Sequence, residues 1–187
     1  MEHRIDKITA ARRQVNAAIR ILFSGEDILA IYAVAAGAYR VLADLAKNNG
    51  TILVGDKSVE TAYNDLHVER TGKSLSEFQR DVRKEMNRPA NFLKHADKDP
   101  EATSVIDEHM TDILLLDCCS SFEELTGEFT DEMVSFLEWY FAVYPPDPAR
   151  EINQYIRIKH IHGKSRTYQI FEGNRLLNSQ PGLHSKG

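Results

Sequence analysis

The strongest constraint on the fold is the helical spacing of apolar residues near the N-terminus. Residues 8–22 carry an apolar side chain every three or four positions, which places these side chains on one face of a helix. The run stops at Ser24-Gly25, and a second run extends from Asp27, a suitable N-cap, to the Asn-Asn-Gly of 48–50. Two long helices joined by so short a connection predict an antiparallel hairpin.

The remaining chain up to residue 146 is also organised in helical periods. We expect a short helix near 59–66, then one that starts after Ser74 or Ser76 and is interrupted at Pro89. Pro89 suits a first helical turn, so a short helix is expected over 89–96. Two amphipathic helices should follow, and Pro145-Pro146 ends the second.

The predicted fold is therefore all-α. Of the 187 residues, 42% are hydrophobic, which is enough to bury one core without disulfides. We expect an antiparallel bundle of about six to seven helices over residues 1–146. Residues 147–187 are expected to form a basic, partly disordered C-terminal extension. Its stretch around Gly163 alternates β-branched and basic residues, and a short hairpin, a last helix and an irregular tail all stay open.

Charge is distributed unevenly along the chain. The total is −5, yet no Lys or Arg occurs between Asp99 and Ala149. The segments on either side are basic by comparison, so a basic face can form on an acidic protein, although solvated helix faces produce the same pattern.

Several protein classes are disfavoured by composition. The N-terminus carries charges in place of an apolar core, and the longest apolar stretch, Ile28–Tyr39, falls short of the roughly 20 residues that span a bilayer. Cys118 and Cys119 are adjacent in an apolar run, as is typical of packing thiols, and no C-x-x-C pair suggests zinc. We expect a cytoplasmic protein without membrane contact or cofactor.

The densest polar cluster lies between residues 87 and 100. Positions i, i+3 and i+7 share one helical face, so Arg88, Asn91 and His95 should converge. A histidine that titrates near neutral pH can move the 2′-hydroxyl proton of RNA while an arginine holds the phosphate, and no metal is needed. These three residues are the candidate catalytic set. The alternatives are a purely structural helix end, or a metal site made by His95, Asp97 and Asp99.

Basic residues outside this cluster are candidates for contacts to RNA phosphates. They are Lys94, Lys159, His160, Lys164 and Arg166. A solvated tail would explain the last four equally well.

Two features resemble the HEPN superfamily of small helical domains. The opening hairpin, AARRQVNAAIRIL followed by DILAIYAVAAGAYRVLADLAKNNG, is similar to the alanine-rich helix pair with which these domains begin. Arg88 and His95, with six residues between them, match the pattern of the members that are metal-independent endoribonucleases, although Pro89 stands where the family has a polar residue.

The resemblance implies that Arg88 and His95 form the catalytic pair and that a homodimer binds one RNA strand. The chain is also similar to small bacterial all-helical proteins with an NFxKHADxDP segment, a similarity that implies no activity. The competing interpretations are a non-enzymatic helical protein with a structural role or a protein partner, and a bundle that binds a small molecule or metal.

Overall fold

The computed structural model describes residues 4–53, 72–94, 100–145 and 156–180. In these ranges the chain forms six α-helices and one 3₁₀ turn, with no strand, so the all-α prediction is confirmed. The helices are α1 (Lys7–Phe23), α2 (Ile28–Asn49), α3 (Leu75–Lys94), α4 (Glu108–Thr126), α5 (Asp131–Val143) and α6 (Arg166–Asn178), and the 3₁₀ turn is Lys159–Ile161.

The α1–α2 hairpin forms as the sequence predicts. Asp27 caps α2 by accepting a hydrogen bond from the Leu29 amide at 2.8 Å, and Gly50 ends the helix with a φ of 70°. Gln14 Nε2 lies 3.5 Å from where a Cβ on Gly37 would stand. These two residues are nearly equidistant from the turn, as an antiparallel pair requires.

The core is built around α1, which contacts α2, α4, α5 and α6. The apolar stripe of α1 is almost fully buried, and Phe23 packs edge to face on Trp139 of α5 with ring centroids 5.6 Å apart. Helix α4 packs on α2, where Cys118 Sγ donates to the Ala35 carbonyl at 3.4 Å. By contrast, Ala90 is the only α3 residue in the buried core among the described side chains, so α3 lies at the edge of the bundle.

Helix α2 extends the apolar stretch Ile28–Tyr39 to 22 residues. By length and composition its 22 residues, with a mean hydropathy of 1.6 in the most apolar window, could cross a membrane, contrary to the expectation from Ile28–Tyr39. In the structure Ala35, Ala38 and Leu42 are fully buried in the bundle. Only 28% of the window is buried, because another side of α2 faces α3 and solvent. The absence of membrane contact stays a prediction.

Of the three alternatives for the C-terminal stretch, the helix is the correct one. Ser165 caps α6, and the Trp139 indole donates to the Gln169 carbonyl at 2.8 Å. Ile161 and Leu177 belong to the same core as α1 and α5. Residues 156–180 therefore pack on the bundle, while the domain boundary at 146–147 and the nature of residues 181–187 lie outside the described residues.

The predicted break at Pro89 is wrong, because α3 runs through the proline without interruption. A proline inside a helix removes one backbone hydrogen bond and crowds the preceding turn. That turn is held from outside, since Tyr32 Oη donates to the Met86 carbonyl at 2.5 Å and Ala90 is buried. These tertiary contacts stabilise the continuous helix. The short helix predicted near 59–66 and the end of the one predicted over 89–96 lie outside the described residues.

Candidate functional site

The helix that carries the candidate residues begins at a capping box. Ser74 Oγ accepts from the Glu77 amide at 3.4 Å, and the Glu77 carboxylate accepts from the Ser74 amide at 2.9 Å. This reciprocal pair satisfies two backbone donors at the start of α3. The backbone bond is the main reason that the pKa of Glu77 is lowered. Of the two predicted caps, Ser74 is thus the one used.

Helix α3 presents a row of cations to solvent. Arg80, Lys84 and Arg88 are four residues apart, so they lie on one side of the helix and rise about 6 Å per step. All three are exposed, as are Asn87 and Asn91, which share this side. We call Arg80, Lys84 and Arg88 the cation row, and Asn91 lies beside it on the same side of α3. Sequence reasoning missed Arg80 and Lys84, although their spacing from Arg88 was a sufficient signal.

The predicted catalytic residues are described only in part. Arg88 and Asn91 lie on the same exposed side of α3, as predicted. The Arg88 side chain is 58% exposed, and its contact with Glu85 is 3.5 Å, the outer limit of a hydrogen bond. His95, Asp97 and Asp99 lie outside the described residues, and so does the side chain of Lys94. The convergence of His95 with Arg88, and the alternative metal site, therefore stay predictions.

The predicted RNA-binding residues near the C-terminus occupy different environments. Lys159 and Lys164 are exposed, and His160 Nε2 lies 3.9 Å from the buried carboxylate of Glu172. Arg166 is different, because its side chain is only 21% exposed and its guanidinium is paired with the carboxylate of Asp112. We therefore leave Arg166 out of the proposed RNA-binding surface.

Arg166 is part of a polar network that the sequence did not reveal. Its guanidinium donates two hydrogen bonds of 2.7 Å to the fully buried carboxylate of Asp112 and lies 4.9 Å from the Trp139 ring. Tyr144 Oη donates to the same carboxylate at 2.9 Å. Burial raises the pKa of Asp112, and the bonds from Arg166 and Tyr144 oppose that rise. The network fastens the start of α6 to α4 and α5.

Paired charges of this kind account for the uneven charge distribution. The Arg157 guanidinium forms a two-pronged contact with Glu138 of the acidic block, at 3.0 and 2.7 Å. Arg20 of α1 pairs with Glu132 of the same block. Basic residues before and after the acidic block thus neutralise two of its largely buried carboxylates.

A cavity of about 410 Å³ lies beside α3, against α2. Its lining is mixed, with apolar and aromatic side chains together with cations from both helices. The volume is within the usual range of small-molecule sites. A smaller and more apolar cavity of about 290 Å³ shares Tyr32, Met86 and Leu114 with the first and also includes Arg88 and Pro89.

Neither a metal centre nor an activated thiol is evident in the described part of the chain. Within it, no three His, Cys, Asp or Glu side chains form a group that could hold a metal ion. Burial raises the pKa of both Cys118 and Cys119, which is the opposite of what a nucleophilic thiolate requires. The packing role predicted for these cysteines agrees with their complete burial.

Comparison with known proteins adds no relative to these observations. The chain matches no family model, no curated protein and no solved structure.

Proposed function

We propose that this protein is an RNA-binding helical domain that contacts a single strand through the cation row of α3. The observation that carries the proposal is the row itself, with Arg80, Lys84 and Arg88 exposed at about 6 Å intervals along one helix. Positive side chains in a line track a phosphate backbone, and Asn91 supplies an amide to sugars or bases. Binding of this type is electrostatic and depends strongly on salt.

In its sharpest form the proposal is a metal-independent endoribonuclease. Arg88 would hold the scissile phosphate, since its guanidinium is exposed and only weakly engaged by Glu85. His95 would move the 2′-hydroxyl proton, and Asn91 would orient the strand. The HEPN resemblance supports these roles and implies a homodimer. Cytoplasmic localisation and the lack of a cofactor belong to the same proposal.

RNA binding is tested by titrating a 5′-fluorescein single-stranded RNA and recording its anisotropy at several salt concentrations. The test variant is Arg80→Glu/Lys84→Glu, and the matched control is Arg12→Glu/Arg13→Glu on α1, which changes net charge equally at exposed positions. We expect affinity to fall at least about tenfold in the test variant only. The negative slope of log K against log salt concentration should be smaller in magnitude than that of wild type by about 1.4, because two phosphate contacts disappear.

An equal loss of RNA affinity in the two variants would mean that binding depends only on the net charge of the protein. No loss in either would refute the cation row as the binding surface. If RNA binds at the row but is not cleaved under any condition, the RNA-binding proposal stands without its endoribonuclease form.

A further inference from the structure

The cavity between α2 and α3 exists because one stripe of α2 has small side chains. Ala36 and Ala43 face α3 at seven-residue spacing, while the stripe that contains Ala35, Ala38 and Leu42 is buried in the bundle. Among the described residues, the methyl groups at 36 and 43 leave a gap between the two helices. The cavity is therefore built into the packing of the two helices.

The wall of the cavity suits a planar ring. Tyr32 and Tyr39 line it together with Met86 and Leu114, so a ring would contact aromatic and apolar surface. The Tyr32 hydroxyl is already bonded to the Met86 carbonyl, which fixes that side chain in place. Asn87 and Thr51 add groups that can hydrogen-bond the polar edge of a base.

The lining carries more positive than negative charge. Arg40, Lys47 and Arg83 contribute three cations, and Asp44 contributes one carboxylate. The Arg40–Asp44 pair is weak, since the contact is 3.4 Å and the side chains are 76% and 66% exposed. An incoming phosphate can therefore compete for Arg40. Aromatic walls with clustered cations match a nucleotide better than a neutral or purely aliphatic ligand.

We propose that this cavity binds one nucleotide unit, with the base between α2 and α3 and the phosphate against Arg40 and Lys47. The unit is either a free mononucleotide or one unpaired nucleotide of an RNA strand. In the second case the inference rests on the proposed function, and the strand continues from the cavity onto the neighbouring cation row. Asn87 lines the cavity and lies three positions after Lys84 on the same side of α3, so the two surfaces adjoin along the helix.

The test compares two ligands, 5′-AMP and a fluorescein-labelled single-stranded RNA, by calorimetry and anisotropy on the full chain. Ala43→Leu fills the cavity, and Ala30→Leu is the matched control, because it makes the same change at an exposed position of α2 outside the cavity lining. Circular dichroism and urea unfolding verify the fold of each variant. Arg40→Ala/Lys47→Ala, which removes two exposed cations without filling the cavity, is the second test variant.

We expect Ala43→Leu to weaken binding by about tenfold, the usual effect of losing one stacked base. Arg40→Ala/Lys47→Ala should also weaken binding by about tenfold, because it removes the charge-assisted contacts to the phosphate, while Ala30→Leu binds as wild type does. An effect seen with 5′-AMP identifies a free mononucleotide, and one confined to RNA identifies a nucleotide of a strand. Unchanged binding of both ligands in Ala43→Leu would overturn the inference. If the cation-row variant still loses RNA affinity in that case, the proposed function survives alone.

Discussion

The close approach of α6 to α1 at Gly173 gives a sharp prediction about stability. Gly173 of α6 lies directly on Phe23 of α1, so that an added Cβ would stand 2.5 Å from Phe23 Cδ1, 3.0 Å from Cζ and closer still to Cε1. Ordinary carbon contacts are about 3.5–4.0 Å. The ring is 2% exposed and is held by Trp139, so it has little room to retreat. Gly173→Ala therefore forces α6 away from α1.

The magnitude follows from two opposing effects. Overpacking of this kind costs about 3 kcal/mol, the upper part of its usual range, because the clash is with a fixed ring. Replacing a helical glycine by alanine raises the free energy of unfolding by about 1 kcal/mol, which offsets part of this cost. The expected net loss is about 2 kcal/mol in the free energy of unfolding, measured by urea denaturation followed by circular dichroism.

Gly37→Ala is the matched control for this prediction. It is also a helical glycine, but its added Cβ would meet only the Gln14 amide at 3.5 Å, an ordinary contact with a flexible side-chain end. We expect this variant to gain up to about 1 kcal/mol. If Gly173→Ala is as stable as Gly37→Ala, the packing of α6 on α1 described above is incorrect.

Three further predictions concern other parts of the bundle. Asp112→Asn removes the buried counter-charge of the Arg166 guanidinium, whose other carboxylate contact, with Glu108, is longer at 3.8 Å, and should cost about 3–5 kcal/mol in urea unfolding. Asp112→Leu/Arg166→Met should recover most of this loss, and equal stability of wild type and both variants would refute the network. Both thiols are buried and their pKa values are raised, so 5,5′-dithiobis(2-nitrobenzoate) should label neither Cys118 nor Cys119 at pH 8 until urea is added. Rapid labelling of the native protein would contradict their burial. Ser74→Ala should speed amide hydrogen exchange in α3 by a factor that corresponds to about 1 kcal/mol of helix stability. Unchanged exchange rates would argue against the capping box.

The helices with strong periodicity and clear end signals could be predicted from the sequence. Asp27 and Gly50 bound α2 as expected, and α5 ends before Pro145. Pro89 was misread, because the local rule for proline does not include the Tyr32 bond that anchors the preceding turn. Local sequence carries no record of a contact made 54 residues away.

The same limitation applies to the candidate site. That Arg88 and Asn91 share one side of α3 follows from their spacing and could be predicted, whereas their exposure is seen only in the structure. Arg166 looked like a phosphate contact, because its partner Asp112 is 54 residues earlier in the chain. The cavity between α2 and α3 could not be predicted either, because it depends on how far apart two helices pack.

Cleavage of end-labelled RNA is the decisive test of whether Arg88 and His95 act together on RNA, as we propose. Wild type is compared with Arg88→Ala and His95→Ala in the presence and absence of EDTA, with Arg12→Ala as the control for loss of one exposed cation. We expect EDTA-resistant cleavage that leaves 2′,3′-cyclic phosphate ends, retained in Arg12→Ala and lost in the other two variants. Cleavage that requires a divalent metal, or that persists in both Arg88→Ala and His95→Ala, would contradict it.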